Sequence, residues 1–426
     1  MDRTWTAAAL IAVFLAAGCG GGGGGGSGTP QDPGSGVPAP PGNPVIPAPP
    51  IERPSASSVI GQADFTAGSL NRGEARPGAG SLSNAFGPVA VLPGERFAIP
   101  DWGNNRVLMF EGRLQTGSEA FAALGQPDLR SNGTSVDRGT HPGPEFVAAE
   151  NGRMAVVNLD ASRINIYNTI PTAATSLPDV VVGQGEFDTA DYGCSQRSLN
   201  MPNSAAWLPD GRLIVVDGGN SRVLVYDNDW STSGKDAVLV LGQRDFDHCE
   251  INDQDGDGTS EQRPTASTMN LPGGVWTDGT RLIVVDGGNS RVLIWTTFPT
   301  ENAQPADLVL GQPSLETAVV QPPSRQSLKE PYMGVDFDGV KLAISDTGNN
   351  RVLIWNSFPT SDHQAADEVI GQLTFETGTR NDADGDRIED PEPSGGVFSQ
   401  PAGLKFHQGR LFVTDSLNHR VLAFDR

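Results

Sequence analysis

The sequence predicts an all-β protein: a six-bladed β-propeller of four-stranded antiparallel sheets, its last blade closed by the N-terminal strand 58–62. Three observations predict it. First, one phrase is written six times. VVDGGNSRVLVY occupies 215–226, VVDGGNSRVLIW 284–295, ISDTGNNRVLIW 344–355, IPDWGNNRVLMF 99–110 and VTDSLNHRVLAF 413–424, with a worn copy, VVNLDASRINIY, at 156–167. Second, the arginines common to the copies, Arg106, Arg163, Arg222, Arg291, Arg351 and Arg420, lie 57, 59, 69, 60 and 69 residues apart, and strand-rich repeats of that period build closed rings of small sheets. Third, a Gly-Gln pair recurs out of phase with the phrase, and that phase determines how the ring shuts.

In chain order, 1–18 read as an export signal. The apolar stretch 7–17 is too short to span a bilayer as a helix and runs into Leu15-Ala16-Ala17-Gly18-Cys19. This resembles a bacterial lipoprotein signal, which implies cleavage before Cys19 and lipidation of that residue. Several acyl chains make such an anchor stable, at about 0.8 kcal/mol per buried methylene. Residues 19–56 continue with an unbroken glycine run at 20–26 and a segment rich in proline, glycine and serine. Such composition buries too little apolar surface to fold and reads as a tether. Gly20 after the cysteine resembles outer-membrane sorting, so an outer-membrane or cell-surface location is expected, with the membrane reached through the lipid anchor alone.

Residues 57–426 form the propeller. In its third unit the expected strands are 204–208, 213–216, 222–226 and 237–241, with alternation clearest at Val223, Leu224, Val225 and Tyr226. Gly218, Gly219 and Asn220 supply the reversal between the second and third strands. Fourth strands end in Gly-Gln at 125–126, 183–184, 242–243, 311–312 and 371–372, while a sixth pair, Gly61-Gln62, precedes any complete unit. The final unit, 403–424, stops after its third strand. Residues 58–62 therefore supply its outer strand, which replaces an open seam with backbone hydrogen bonds.

The run D-x-G-N-x-R-V, with starts such as Leu271-Pro272-Gly273-Gly274-Val275, resembles the NHL repeat over roughly 58–426. The resemblance implies a propeller that serves mainly as a binding platform, with a minority of relatives acting as lyases, including peptidyl-amidoglycolate lyase, and lactonases among related propellers. The second unit departs from the motif, with Asn158, Asp160 and Ala161 in place of its aspartate, glycine and asparagine.

Asp101, Asp217, Asp286, Asp346 and Asp415 recur at one position and read as turn caps paired with the arginines, since one active site does not need five equivalent acids. Asn104, Asn220, Asn289, Asn349 and Asn418 read as turn formers. The resemblance to propeller lyases implies histidines for zinc, yet His141, His248, His363, His407 and His419 share no repeat position; only His407 and His419 invite a common site. No phosphate loop, nucleophile elbow or paired-cysteine metal motif is present, so no catalytic residue and no organic cofactor is assigned.

Two insertions lengthen the 69-residue spacings. They present Asp253, Asp255, Asp257 with Glu261, and Asp382, Asp384, Asp386, with Glu389 and Asp390 nearby. Alternating oxygen ligands on a tight loop resemble the opening half of a calcium loop, although Pro264 and Pro393 stand where its bidentate glutamate would be. A structural calcium is expected in either loop. Cys194 and Cys249 lie in successive blade-to-blade links and are expected to form a disulfide in an oxidising compartment.

The formal charge of −22 disfavours nucleic acid. The leading expectation for function is a tethered, non-enzymatic binding or scaffolding propeller for an envelope or extracellular protein, peptide or glycan. Trp207 and Trp276, on innermost strands, are expected either to line its axis or to pack between blades. The alternative is a metal-dependent hydrolase or lyase in the central depression.

Overall fold

A computed structural model describes residues 53–426, which form six antiparallel sheets of four strands each. The signal, Cys19 and most of the expected tether lie outside the described residues. In the third blade the strands run Ser204–Trp207, Leu213–Asp217, Arg222–Tyr226 and Ala237–Leu241 from axis to rim. Alternation divides each strand between two neighbours. Leu282 and Val284 of blade 4 pack with Ile214 and Val223 of blade 3, whereas Ile283 and Val285 pack with Leu342 and Ile344 of blade 5. The cores are thus layers between blades, each fully buried Val or Leu contributing about 1.5–3 kcal/mol.

Around the axis the inner strands meet backbone to backbone. A Cβ on Gly273 would lie 2.0 Å from the carbonyl oxygen of Tyr332, and one on Gly87 would lie 2.1 Å from that of Glu145. Only glycine permits these approaches between neighbouring blades.

Closure follows the phase of the Gly-Gln pairs. The strand Ser58–Ile60 pairs antiparallel with Arg420–Asp425, Ser58 opposite Ala423 and Ile60 opposite Val421. The structure also explains why Gly-Gln recurs. All six glutamines donate from Nε2 to the carbonyl of the residue that ends the turn between second and third strands, as in Gln126 to Asn105 (2.8 Å) and Gln62 to His419 (3.1 Å).

That turn differs in detail from the expectation. Gly218–Asn220 form a 3-10 turn, and the left-handed residue is the next one, Ser221 (φ 50°), as are Asn105, Ser162, Ser290, Asn350 and His419 in the other copies. Gly219 is needed for space, because its Cβ would fall 2.7 Å from the Asn200 carbonyl oxygen. Each turn aspartate is buried. Asp286 accepts from Arg291 Nε (2.7 Å) and Asn289 Nδ2 (2.8 Å) on one oxygen and from the Asn270 amide (2.7 Å) on the other. The same set recurs at Asp101, Asp217, Asp346 and Asp415. These five acids brace turns.

Candidate active site

Antiparallel alternation brings the turns between second and third strands, and the links between blades, to one face of the ring. Each inner strand is entered there through a left-handed residue: Asn84, Gly143, Met201, Leu271, Glu330 and Gln400. Two residues further on, the six copies carry Phe86, Glu145, Asn203, Gly273, Tyr332 and Ala402. Small or apolar residues would suffice to close the axis at this level. Blades 2 and 5, which stand opposite each other in a six-fold ring, instead carry Glu145 and Tyr332, and the Tyr332 hydroxyl donates to Glu145 Oε1 across the axis.

Glu145 is 2% exposed, and its second oxygen, Oε2, is buried without a hydrogen-bond partner. Burial pushes its pKa up to about 8; the bond from Tyr332 opposes that shift and the nearby charge of Asp160 adds to it. Burial and the Glu145 charge likewise raise the Tyr332 phenol well above its ordinary value. Near neutral pH Glu145 is therefore mostly a carboxylic acid. Its Oε1 is occupied as an acceptor, so the proton belongs on Oε2, where nothing in the protein takes it. Two further buried atoms near the same end of the axis lack partners, Asn203 Oδ1 and Ser416 Oγ. Buried orphans are uncommon in folded proteins and mark places where a ligand or water completes the bonding.

An aromatic wall stands beside the acid. The Phe86 ring meets Trp102 edge-on at 5.8 Å and Tyr332 edge-on at 6.1 Å. Trp102 and Tyr332 keep part of their surface exposed. Asp160 is solvent-exposed in the turn of blade 2, and partial desolvation raises its carboxyl from the ordinary value. A flat or ring-shaped substrate resting on the aromatics would meet a neutral acid that can donate a proton and, once ionised, take one back.

Blade 2 supplies this chemistry by abandoning the turn plan. Asn158 replaces the bracing aspartate, so Arg163 Nε is left without a partner. His141, which takes the repeat position of Leu82, Leu199, Met269, Leu328 and Phe398 beneath the Gly-Gln glycine, places Nδ1 3.0 Å from Asn158 Oδ1 and Nε2 2.9 Å from the Tyr167 hydroxyl. Burial drives the His141 pKa down to about 3, leaving a neutral structural ring. Gly143 holds φ 55°, and a Cβ there would lie 2.6 Å from the Asp160 carboxylate. None of Glu145, Asp160 and Tyr332 stood out as a candidate from the sequence. The available signal was the column of inner-strand starts, in which one acid and one phenol stand among Phe86, Asn203, Gly273 and Ala402.

The residues expected to bind metal lie in the two insertions, on the same face. Asp253, Asp255, Asp257 and Glu261 offer oxygens within 4.8 Å of one another. Buried Asp253 shapes the loop by accepting from the amides of Gly256 (2.8 Å) and Gly258 (3.2 Å), and Asn252 and Asn289 exchange bonds to dock it. In the second insertion the group is Asp382, Asp384 and Asp390. Asp386 is not in that group; it accepts from the Ile388 amide (2.7 Å), as Asp257 accepts from the Thr259 amide (2.8 Å) in the first loop. Arg53 also reaches this loop, donating to the Ala383 carbonyl (3.4 Å) within electrostatic range of all three carboxylates. Both clusters are compatible with a cation.

Cys194 and Cys249 form a disulfide, their Cα atoms 6.2 Å apart. His407 and His419 do not share a site. His407 ends an inner strand on the opposite face, edge-on to Phe97, and His419 Nδ1 accepts from the Asn84 amide (3.1 Å). Nor do the tryptophans line the axis: Trp207 packs edge-on to Trp230 and bonds Ala148, and Trp276 packs on Phe337.

No family model and no curated protein sequence matches this chain. Many solved structures do. A virginiamycin B lyase from Staphylococcus aureus is 12% identical over 80% of this chain and 95% of its own, with a TM-score of 0.43. A hydrazine synthase of Kuenenia stuttgartiensis is 12% identical over 81% and 96%, at 0.43. A gluconolactonase from Xanthomonas campestris is 15% identical over 87% and 98%, at 0.42. At those values the likeness concerns fold and transfers no activity. The expectation of a non-enzymatic platform is corrected on the chain's own residues: its face carries carboxylate clusters compatible with a metal, and its axis holds a buried acid, bonded by Tyr332, whose pKa burial pushes up to about 8.

Proposed function

We propose that this chain is a hydrolase or lyase whose site is the axial depression, with Glu145 as general acid and base. The observation that carries the proposal is the pairing of Glu145 with Tyr332 from the opposite blade, which leaves a protonated Oε2 without a protein acceptor. A carboxyl group held near pH 8 can protonate a leaving oxygen or nitrogen at neutral pH. Tyr332 positions the carboxyl, and Phe86 and Trp102 supply a stacking surface. A divalent cation, calcium by its preference for oxygen ligands, occupies the 253–261 loop and braces the rim. The chain is an NHL-type propeller exported as a lipoprotein on Cys19 to the outer membrane or cell surface, where its substrate is a peptide or glycan of the envelope.

The test is turnover by the full chain on esters, lactones, glycosides and amidated peptides, with added calcium. One class should turn over, with kcat falling as pH rises past about 8, and Glu145→Gln should lower kcat by about 10²–10⁴-fold while KM changes little. Failure on all four classes, or full activity in E145Q, would overturn the assignment.

A further inference from the structure

Blades 2 and 5 share more than the bond between Glu145 and Tyr332. In every blade the left-handed residue that opens the inner strand stands beside the middle residue of the turn between second and third strands. In four blades that pair carries no charge. In blade 2 it is Gly143 and Asp160; in blade 5 it is Glu330 and Gly348, so glycine and acid have changed places. A Cβ on Gly143 would lie 2.6 Å from the Asp160 carboxylate, and one on Gly348 would lie 3.2 Å from Glu330 Oε2. A carboxylate therefore fills the same place, between link and turn, in two blades that stand opposite each other. These two acids flank the mouth of the depression that Glu145 and Tyr332 bridge.

The protein leaves both acids unanswered. Among the described residues neither carboxylate accepts a hydrogen bond or joins an ion pair. Desolvation alone raises the Asp160 carboxyl; at Glu330 desolvation raises it and the neighbouring Lys329 opposes the shift. His419, on the same face, is driven down to about 4 by burial and stays neutral. Carboxylates short of solvation gain from an incoming cation. A single metal ion does not fit that demand, because the only groups of acidic oxygens within 4.8 Å of one another among the described residues are those of the two insertions. An extended ligand does. Glu145 Oε2, 2% exposed and without a partner, stands between the two acids, and Trp102 and Phe86 add π faces that favour cations.

We infer, resting on the reading of the axial depression as the active site, that the substrate is a basic peptide lying across the mouth, with one lysine or arginine side chain on Asp160 and another on Glu330. Its backbone passes over Trp102 and Phe86 and presents an acceptor atom to Glu145 Oε2. Asp160 and Glu330 thus select the substrate by charge, while Glu145 remains the group that moves the proton.

Calorimetric titration of the full chain with Lys-Phe-Lys and its neutral counterpart Gln-Phe-Gln, both N-acetylated and C-amidated, tests this. Lys-Phe-Lys should bind at least about tenfold more tightly, and the difference should shrink as salt is raised. Asp160→Asn and Glu330→Gln should each weaken Lys-Phe-Lys by about 3–10-fold and together by about 10–100-fold, with Gln-Phe-Gln unaffected. Both side chains reach solvent, and circular dichroism checks that the variants fold. Absence of heat with Lys-Phe-Lys up to about 10 mM, or equal affinity for the two peptides, would overturn the inference. So would full binding in the double variant, which would reduce the preference to diffuse attraction by an acidic chain. The readout is binding without turnover. An inactive chain that binds Lys-Phe-Lys overturns the proposed activity alone, and an active chain indifferent to charge overturns the basic substrate alone.

Discussion

Blade 2 and its five neighbours share one strand plan and differ in what stands at the turn. In the five, a buried aspartate gathers an arginine, an asparagine and a backbone amide. In blade 2 that aspartate is Asn158, Arg163 Nε goes unpartnered, and a neutral histidine, standing where the other copies carry Leu, Met or Phe, bonds Asn158. The same blade contributes Glu145 and Asp160 to the axial face. Where the repeat is kept, the turn aspartate is consumed by structure; where it lapses, the blade's acids, Glu145 and Asp160, stand on the axial face.

The largest effect should come from breaking a kept turn. Asp286→Ala leaves Arg291 buried and uncompensated and should cost about 3–5 kcal/mol in denaturant unfolding, whereas Asn158→Ala, which strands no new charge, should cost about 1–2 kcal/mol. Similar losses at both positions would erase the distinction between the blades.

Glu145→Gln addresses the other side of the comparison. The folded pKa of Glu145, about 8, exceeds that of an unfolded glutamate. Its stability contribution is therefore fully present below the unfolded pKa and is lost as pH rises to the folded one. Wild-type stability should fall between about pH 4.5 and 8 by a few kcal/mol from this group, and E145Q should lack that component. Identical pH dependence in the two proteins would mean that Glu145 ionises normally.

Asn158→Asp should return blade 2 towards its neighbours by giving Arg163 Nε an acceptor, and should stabilise the protein by about 1 kcal/mol. A loss of stability would show that His141 and Asn158 form a better-matched pair than the repeat does. The smallest effect is expected between the two acidic loops. Arg53 lies against Asp382, Asp384 and Asp390, whereas Arg244 meets the 253–261 loop at the Asp255 carbonyl (3.5 Å) and that cluster offers a fourth carboxylate, Glu261, so calcium should bind the first loop more tightly. Calorimetry of Asp255→Asn and Asp384→Asn should show the larger loss in D255N; the reverse order would remove Arg53 as a competitor.

Most of the fold was legible because a repeated residue is a repeated constraint. The period of Arg106, Arg222 and Arg291 marked the blades, and the stray Gly61-Gln62 marked the closure. Cys194 and Cys249 were legible as a pair from their places after successive fourth strands. The axial site was not, because it depends on a distance across the ring: Glu145 and Tyr332 are 187 positions apart and meet only when six blades close. The Gly-Gln pairs gave the phase of the ring, but what their glutamines bind needed coordinates.

Closure by Ser58–Ile60 makes order of synthesis matter. The strand is among the first parts of the propeller to leave the ribosome, yet its partner, Arg420–Asp425, is among the last. For nearly the whole of translation its backbone groups have no mate, and the pairing that completes the ring spans almost the entire domain, a contact of very high order. Loss of the C-terminal strand would strand the N-terminal one as an exposed edge open to pairing with other chains. The seam thus works as an end-to-end proofreading step, in which a polypeptide shortened at one terminus is betrayed at the other.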